Sequence, residues 1–541
     1  MSLAANPLSR SMTQARPKTS LVPTAEQYKI IEAMPEPEST MIQALAGTGK
    51  TSTLEMAGTR IKVPALALAF NKSIAVELEK RFEANFTVKT MNGLGHGAWL
   101  RANPSIMRAE VDANKLGKLV TALAKERKVD LSSDQWGALR QLVSRAMQCG
   151  LVLDSDSGLI PDSDESWSAI AEDLDMTPAE LEFFGDMPRQ LLRNSVALAR
   201  RGIISFDDQV YCSTMLGGRF PQFPVVFVDE SQDLSPLNHK MLALSMRPEG
   251  KLVSCGDSRQ AIYQFRGASV DSMSRIEGLR PSWTKLPLAT TFRCPKVIVA
   301  RQQEHAPGYT AYSGNPDGAF FQFQPPTMTD TVGEMWGWTF ADLQGRLPRP
   351  GASMAVLCRN NSPLFSLAFK LLRQGVGVVM LGRDIGKNLE VLSRKIAAQD
   401  EMPRDQVAGA IVEWRETEIS LALAQGKDEK VASITDRAEC LLAVLSNSEA
   451  RDAGQLRAML HKLFERESSL VTLSSIHKAK GLEWDLVLHL DPWRIPSRYA
   501  REAAKRGDAS QLEQEWNLRY VCETRTKHTL VNANLDEFRS V

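Results

Sequence analysis

Residues 44–51 read ALAGTGKT, and this stretch decides the fold class. The preceding MIQ at 41–43 is typical of the end of a buried strand, and STLEMA at 52–57 is typical of the first turns of a helix. A glycine-rich loop between a strand and a helix turns its backbone N–H groups toward phosphates. The helix N-terminus adds a field that favours anions. The stretch therefore predicts a nucleoside triphosphate site.

The side chains of this loop have separate expected tasks. Lys50 can reach the outer phosphates, and the Thr51 hydroxyl can ligate Mg²⁺. Ala44 stands where the general pattern has glycine, and the alternative reading is a glycine-rich turn that only caps a helix. The residues expected to bind the nucleotide here are Ala46, Gly47, Thr48, Gly49, Lys50, Thr51 and Ser52.

The composition is that of an ordinary globular protein with several cores. The chain has 541 residues, of which 43% are hydrophobic and 24% charged, and this length predicts two to four domains. Its net charge is +1. A nucleic-acid partner would therefore be held by a local basic groove rather than by the field of the whole molecule.

Cysteine usage and hydropathy limit where the protein works. The cysteines at 149, 212, 255, 294, 358, 440 and 522 form no Cys-x-x-Cys pair, which argues against a structural metal and favours a reducing compartment. No apolar run reaches about 18 residues, so no membrane span is expected. We expect the cytoplasm of a bacterial or phage-infected cell, or the nucleus of a eukaryote.

The first residues are basic and contain no acid. Arg10, Arg16 and Lys18 stand among serines and threonines, a composition that a transit peptide shares. The segment lacks helical amphipathicity and contains Pro7 and Pro17. We expect residues 1–23 to form a flexible tail.

Short apolar runs alternate with helical patterns along the chain, which predicts an α/β fold with parallel sheets. Strands are expected at 64–70, 225–228, 251–255, 353–358, 377–381 and 486–490. Two stretches are mainly helical in pattern and read as insertions. The expected division is a first core at 24–96 and 200–289 with an insertion at 97–199, and a second core at 290–388 and 466–541 with an insertion at 389–465.

Two carboxylates directly follow the apolar strand at 225–228. A carboxylate at the end of a buried strand, beside a phosphate loop, is where Mg²⁺ would be held. Asp229 is therefore the expected metal carboxylate. Glu230 is the expected general base for the attacking water. The alternative is a plain acidic turn.

Five blocks of the sequence resemble motifs of the UvrD/Rep-like helicases of superfamily 1 and occur in the family order. They are DESQD at 229–233, GDSRQAIYQFRGA at 256–268, LATTFRCP at 288–295, SIHKAKGLE at 475–483 and NLRYVCETR at 517–525. The family also has alanine at the position of Ala44. Residues 69–75, AFNKSIA, are similar to the F-box DNA helicase branch and to some phage helicases. The resemblance implies two RecA-like cores of the P-loop NTPase class.

The resemblance also implies which residues would bind the adenine base of the nucleotide. Gln27 would bind the adenine edge, because an amide donates and accepts at once. The alternative for Gln27 is an ordinary helix N-terminus capped by Thr24. Phe292 stands where the family has an aromatic residue that stacks on the base.

Three further residues would act at the γ-phosphate. Gln260 would contact it and couple it to DNA. Arg293 and Arg525 would approach from the second core, where guanidinium groups spread positive charge over the transferring phosphoryl group. The alternative for either arginine is a surface salt bridge.

The DNA side follows from the same resemblance. Single strands are held by phosphate contacts and by aromatic stacking platforms, although a single aromatic side chain also often packs in a core. Relatives usually carry histidine at the position of Asn92. The expected DNA-binding residues are Phe70, Asn71, Lys72, Thr90, Asn92, Tyr263, Phe265, Arg266, His477 and Lys480.

The resemblance implies an ATP-dependent DNA helicase that uses ATP and Mg²⁺ and moves from 3′ to 5′ on single-stranded DNA. Its partners would be single strands, duplex junctions and accessory proteins of replication or repair. One alternative is a DNA-stimulated translocase that remodels nucleoprotein without separating strands. Others are a nucleotide-gated binding module without turnover and an enzyme that acts on RNA.

Overall fold

A computed structural model describes residues 22–69, 72–106, 108–155, 157–172, 174, 176, 178–262, 272–323, 337–424, 428–465, 471–507 and 509–539. The predicted tail at 1–23 lies outside these residues except for its last two positions. Within the described ranges, every helix is too short or too polar to cross a bilayer.

The strands form two six-stranded sheets and two short two-stranded pairs, β4 with β5 and β9 with β10, and all paired strands run parallel. The strands are β1 (Ser39–Ala44), β2 (Ala65–Ala69), β3 (Phe86–Thr90), β4 (Glu110–Val111), β5 (Ile203–Ile204), β6 (Phe223–Val228), β7 (Met246–Gly256), β8 (Trp283–Leu288), β9 (Thr290–Thr291), β10 (Thr310–Ala311), β11 (Ala319–Gln322), β12 (Met354–Cys358), β13 (Val378–Met380), β14 (Val471–Ser475), β15 (Trp484–Leu490) and β16 (Thr526–Ala533). The first sheet has the order β3-β2-β6-β7-β1-β8, and the second has the order β11-β16-β15-β12-β14-β13. The predicted α/β class with two parallel-sheet cores is confirmed.

The central strands are apolar because helices cover both faces of each sheet. Every residue of β2 and of β12 is buried, and parallel strands buried on both faces read as continuous apolar runs. All six strands predicted from such runs are present, with ends shifted by a few residues.

The helices fill the connections between the strands. They are α1 (Ala25–Glu32), α2 (Lys50–Gly58), α3 (Lys72–Arg81), α4 (Met91–Ala102), α5 (Lys115–Arg127), α6 (Ser133–Gln148), α7 (Asp164–Glu172), α8 (Pro178–Phe184), α9 (Met187–Arg200), α10 (Phe206–Met215), α11 (Pro236–Leu244), α12 (Ser272–Glu277), α13 (Lys296–Gln302), α14 (Phe340–Gln344), α15 (Ser362–Arg373), α16 (Arg383–Ile396), α17 (Arg404–Ala424), α18 (Asp428–Asn447), α19 (Ala453–Glu465), α20 (Ile476–Ala479), α21 (Arg498–Lys505) and α22 (Ser510–Glu523). The predicted boundaries at 96 and 388 fall inside α4 and α16. Helical periodicity locates a helix, but it does not show where the chain leaves a core.

The two cores meet in a shared apolar cluster. Leu45, Ala46 and Ile262 of the first core pack with side chains of the second, among them Tyr309 and Tyr520. This junction adjoins the carboxyl ends of β1 and β7, where the phosphate loop and Asp257 lie. Ligands of open parallel sheets bind outside such strand ends. The fold therefore places the nucleotide loop at the boundary between the cores.

Candidate nucleotide and nucleic-acid sites

The phosphate loop connects β1 to α2. Gly47 and Gly49 have φ angles of 69° and 76°, a left-handed conformation that costs energy for residues with a Cβ. The loop is also crowded, because a Cβ at Gly47 would lie 2.6 Å from the Cβ of Arg293. Thr48 donates a hydrogen bond from its hydroxyl to the Leu45 carbonyl oxygen over 2.9 Å. The shape of the loop thus depends on its two glycines.

Lys50 faces the acidic end of β6. Its Nζ lies 3.3 Å and 3.4 Å from the two carboxylate oxygens of Glu230. Burial acts to lower the pKa of Lys50, but the carboxylates of Glu230 and Asp257 outweigh it and raise this pKa. Burial likewise acts to raise the pKa of Glu230, and the Lys50 and Lys480 cations outweigh it and lower this pKa. Glu230 is therefore a charged ion-pair partner in this conformation.

Asp229 and Thr51 form a pair of oxygen ligands next to Lys50. The Thr51 hydroxyl donates to the Asp229 carboxylate over 3.5 Å, and Ser52 follows in the first turn of α2. Burial first, and the charge of Glu230 second, raise the pKa of Asp229. Hydroxyl and carboxylate oxygens are the ligands that Mg²⁺ prefers, and a cation would compensate the buried charge. The residues present fit a magnesium ion.

Gln232 forms a hydrogen bond to Glu230, the predicted general base. Gln232 was not among the residues predicted from the sequence. Its Nε2 donates to Glu230 Oε2 over 2.6 Å, and its Oε1 accepts from the Asp257 amide over 3.0 Å. Glu230 itself has a φ of 51°, and such strain persists only where the surroundings fix the residue. The signal for Gln232 was present, because it lies within the quoted run at 229–233.

Arg525 is buried at the junction between the cores. Its Nε donates to the Val521 carbonyl over 3.0 Å, and its Nη2 donates to Gln260 Oε1 over 3.4 Å. Burial first, and the charge of Arg293 second, lower the pKa of Arg525 to about 10. Within the described chain its hydrogen bonds go to neutral oxygens. A buried cation in such surroundings is suited to a bound anion.

Arg293 and Gln260 complete the group at the junction. Arg293 donates from Nε to Glu483 over 2.5 Å, so the predicted alternative, a salt bridge, is present. The stem of Arg293 nevertheless packs on Gly47 of the phosphate loop. Gln260 is buried and donates from Nε2 to Asp257 over 2.7 Å. The structure thus brings Arg293, Arg525 and Gln260 together beside the loop.

Gln27 lies next to the loop and also caps its own helix. The Thr24 hydroxyl accepts from the Gln27 amide over 3.2 Å, and Gln27 Oε1 accepts from the Thr24 amide over 3.0 Å. The capping alternative is therefore confirmed. Gln27 Nε2 donates to the Thr53 hydroxyl over 3.0 Å and lies 3.7 Å from the position of a Cβ at Gly49.

Phe292 lies near the same point of the loop. One of its ring carbons is also 3.7 Å from the position of a Cβ at Gly49, and 43% of the residue is exposed. The ring of Tyr312 lies beside it, with a centroid distance of 5.1 Å and an interplanar angle of 39°. An exposed aromatic pair offers a surface for stacking a base. Tyr312 was missed, because no motif connects it to Phe292.

The predicted DNA-binding residues are only partly described. Five lie outside the described residues, namely Phe70, Asn71, Tyr263, Phe265 and Arg266. Lys72 is exposed at the start of α3, and His477 is half-buried in α20.

Thr90 and Asn92 have structural partners at the start of α4. The Thr90 hydroxyl accepts from the Gly93 amide over 3.0 Å and caps the helix. Asn92 donates from Nδ2 to the Phe206 carbonyl over 2.7 Å. These bonds fix the loop, and contact of either residue with DNA stays a prediction.

Lys480 connects the two cores. Its Nζ lies 2.7 Å and 3.0 Å from the Asp233 oxygens and 2.6 Å from the Gln260 carbonyl oxygen. Burial raises the pKa of Asp233 to about 6 against the opposing effect of Lys480. In this conformation the ammonium faces the first core, whereas the sequence predicts a contact with DNA.

Two exposed aromatic residues were missed by the sequence analysis. Phe206 is 57% exposed at the start of α10, beside Asn92. Trp493 is 58% exposed after β15, and the Arg494 guanidinium lies 4.6 Å from its ring centroid. An exposed aromatic side chain next to a cation, as at Trp493, is typical of a single-strand surface. Neither lies in a quoted motif.

A strand–loop–helix phosphate loop, an acidic pair on the same sheet and arginines from the second core are the features of a P-loop NTPase with two RecA-like cores. Comparison with known families agrees with this class. Residues 211–279 match the UvrD/REP helicase N-terminal domain, and residues 416–534 match the UvrD-like helicase C-terminal domain. Two stretches of the chain are therefore similar to the N-terminal and C-terminal domains of the UvrD/Rep-like helicases of superfamily 1.

Individual relatives are similar at lower identity. F-box DNA helicase protein 1 of Schizosaccharomyces pombe is 24% identical over 94% of this chain and 57% of its own length. ATP-dependent DNA helicase UvrD2 of Mycobacterium tuberculosis is 28% identical over 56% of this chain and 46% of its own length. DNA helicase II of Escherichia coli is 24% identical over 50% of this chain and 38% of its own length. The chain spans about half the length of the F-box and UvrD2 relatives it matches.

Proposed function

We propose that this protein is an ATP-dependent DNA helicase that moves from 3′ to 5′ on single-stranded DNA and unwinds duplexes. The observation that carries the proposal is that Arg525 of the second core donates to Gln260, which donates to Asp257. The charge of Asp257 acts in turn on Lys50, which pairs with Glu230. The names of the relatives, which are DNA helicases, support the choice of DNA.

The Lys50–Glu230 pair gives a route to an active base. A triphosphate bound in the loop attracts Lys50, whose ammonium then moves from Glu230 toward the outer phosphates. Loss of this partner raises the pKa of Glu230, because Lys50 is the leading cause that lowers it. Glu230, held by Gln232, then orients the attacking water and accepts its proton.

The second core supplies the positive charge. Arg525 and Arg293 stabilise the charge that develops on the transferred phosphoryl group. Thr51 and Asp229 would hold Mg²⁺, which neutralises phosphate charge when it is bound. Because the arginines and the loop belong to different cores, hydrolysis and product release change the contact between the cores, and this change drives steps along DNA.

The DNA surface follows the carboxyl edges of the sheets. In the second sheet β14, β12 and β15 are neighbours, so His477 and Trp493, which follow β14 and β15, lie along one edge. In the first sheet, Thr90 follows β3 and caps α4, and the backbone of Phe206 at the start of α10 accepts from Asn92 in the first turn of α4. A single strand laid across both edges would stack on Phe206 and Trp493.

Glu230→Gln tests the base. We expect DNA-stimulated ATP turnover to fall by about 10²–10⁴-fold with ATP affinity retained, measured by phosphate release and nucleotide titration. Glu83→Gln is the matched control, because Glu83 forms an exposed pair with Lys62 away from the site. Turnover in Glu230→Gln equal to that of the control would contradict the assignment. Wild-type protein without turnover in saturating single-stranded DNA would favour the binding module.

Tailed duplexes test unwinding and direction. We expect ATP-dependent release of the displaced strand from a 3′-tailed duplex and none from a 5′-tailed duplex. DNA-stimulated turnover without strand release from either duplex would identify a translocase that remodels nucleoprotein. Release from the 5′-tailed substrate alone would reverse the proposed direction.

A further inference from the structure

Two tyrosines of the second core hold one residue of the phosphate loop. The Tyr520 hydroxyl accepts a hydrogen bond from the Ala46 amide over 2.8 Å. The Tyr309 hydroxyl donates to the Ala46 carbonyl oxygen over 2.7 Å. Both tyrosines and Ala46 are fully buried. Side chains of the second core therefore bind both the amide and the carbonyl group of Ala46, and so fix the loop at this position.

Tyr520 also reaches the strand end next to the loop. Its hydroxyl lies 3.3 Å from Asp257 Oδ2, and Asp257 accepts from the Gln260 side chain. One hydroxyl thus joins the phosphate loop to the turn after β7. It donates to the carboxylate and accepts from the amide, so both of its hydrogen-bonding functions are used.

The same helix carries the arginine of the site. Tyr520 belongs to α22, which ends at Glu523, and Arg525 follows two residues later. Arg525 is tied back to α22 by its bond to the Val521 carbonyl. A contact that fixes Tyr520 on the loop therefore fixes the distance between the loop and the Arg525 guanidinium.

We propose that Tyr520 is a positioning residue, which docks α22 on the phosphate loop and so sets the place of Arg525 at the γ-phosphate. The inference rests on the proposed function for the role of Arg525. We call the two hydrogen bonds that Tyr520 and Tyr309 form with the backbone of Ala46 the clasp. Tyr309 is its second member, since it donates to the carbonyl of the same loop residue. The clasp transmits nucleotide-dependent movement of the loop to the second core through α22.

The hydroxyl rather than the ring carries this role, so phenylalanine is the right substitution. Tyr520→Phe keeps the packed ring and leaves the Ala46 amide without its acceptor, a loss that buried backbone groups rarely tolerate. Tyr211→Phe is the matched control. Tyr211 is buried in the helical part of the first core, and its hydroxyl donates to the Leu151 carbonyl over 2.7 Å.

The first measurement is hydrogen–deuterium exchange in the nucleotide-free full chain. We expect the peptide that covers residues 41–54 to exchange faster in Tyr520→Phe than in wild type, and to be unchanged in Tyr211→Phe. Equal exchange of this peptide in all three proteins would overturn the clasp. This readout does not depend on activity, so it stands even if the proposed function fails.

The second measurement is steady-state ATP turnover with single-stranded DNA. We expect Tyr520→Phe to lower kcat about tenfold, while Tyr309→Phe, which leaves α22 attached, lowers it less. In the presence of Arg525→Lys, Tyr520→Phe should cause no further loss, because residues acting as one unit are not additive. Multiplicative losses in the double variant would overturn the positioning role.

Discussion

At the residue scale, Asp229, the proposed Mg²⁺ ligand, lowers the stability of the nucleotide-free protein. Its carboxylate is buried beside Glu230, and both conditions raise its pKa to about 6 from an ordinary value of 3.8. Such a group binds protons more readily in the folded state than in the unfolded state. Its ionisation therefore destabilises the nucleotide-free protein at neutral pH, and a bound cation would remove this effect.

Asp229→Asn should raise the stability of the nucleotide-free protein and abolish Mg²⁺-dependent turnover. Asparagine can still accept from the Glu230 amide, which Asp229 binds over 2.8 Å, without the buried charge. The gain should be about 1–3 kcal/mol at pH 7.5. Because the cost of ionisation appears as pH rises from about 4 to about 6, the gain should shrink as pH falls through this window. Thermal unfolding in chelator at several pH values measures it.

Asp112→Asn is the control of opposite sign. A hydrogen bond from Lys118 lowers the pKa of Asp112, so loss of this carboxylate should give no gain in melting temperature. A gain in Asp229→Asn that stays constant from pH 4 to 7.5 would contradict an origin in the buried charge.

At the element scale, the strands that the sequence predicts are continuous apolar runs, and most of them lie in the middle of a sheet. Apolar runs located β6 and β12, because their sequences are continuous and hydrophobic. β8 was not predicted, since it lies at a sheet edge and its residues are mostly half-exposed. β16 was not predicted either, because it begins with the polar residues TKHT.

The sequence predicted the residues of the candidate site in each core, but it did not predict the contacts between the two cores. Motifs named Lys50, Glu230 and Arg525, because each lies in a short block with a characteristic pattern. The contact of Tyr520 with Ala46 joins positions 474 residues apart. No local spacing encodes such a pair, since it depends on how the second core docks.

Helix α1 shows how an element positions the predicted adenine site. Glu26 Oε2 accepts from the amides of Ala289 and Thr290 over 3.1 Å and 3.0 Å. The segment after these residues carries Phe292, while α1 itself carries Gln27. Glu26 therefore connects the two predicted sides of the adenine site.

Glu26→Ala should raise the KM for ATP about three- to tenfold with little change in kcat. It removes two hydrogen bonds to a charged acceptor, each worth about 1.5–3 kcal/mol, and so loosens Phe292 relative to Gln27. Turnover as a function of ATP concentration measures the effect. Glu32→Ala, on an exposed position of the same helix, is the control. A fall in kcat with unchanged KM would place the role of Glu26 elsewhere.

At the scale of the whole molecule, the two cores are connected by a few buried polar contacts within an apolar junction. Lys480 pairs with Asp233 across this junction, and Tyr309 and Tyr520 hold the phosphate loop. Polar contacts of this kind have a defined geometry, so they can be made or broken as a set when the cores move. The ion pair is the contact whose removal is most easily balanced by a second substitution.

Lys480→Gln should separate the cores in the absence of nucleotide. Removing one partner of a buried ion pair leaves the other charge unpaired and costs about 3–5 kcal/mol. Here the contact between the cores would lose this stability, because that contact buries Asp233. Small-angle scattering should show a larger radius of gyration, and DNA stimulation of turnover should fall. Lys480→Gln with Asp233→Asn removes both charges and allows an amide–amide hydrogen bond, so it should restore the compact form. If the single variant is as compact as the wild type, the ion pair does not hold the cores together, and the apolar cluster around Ala46 and Ile262 with the tyrosine contacts must do so.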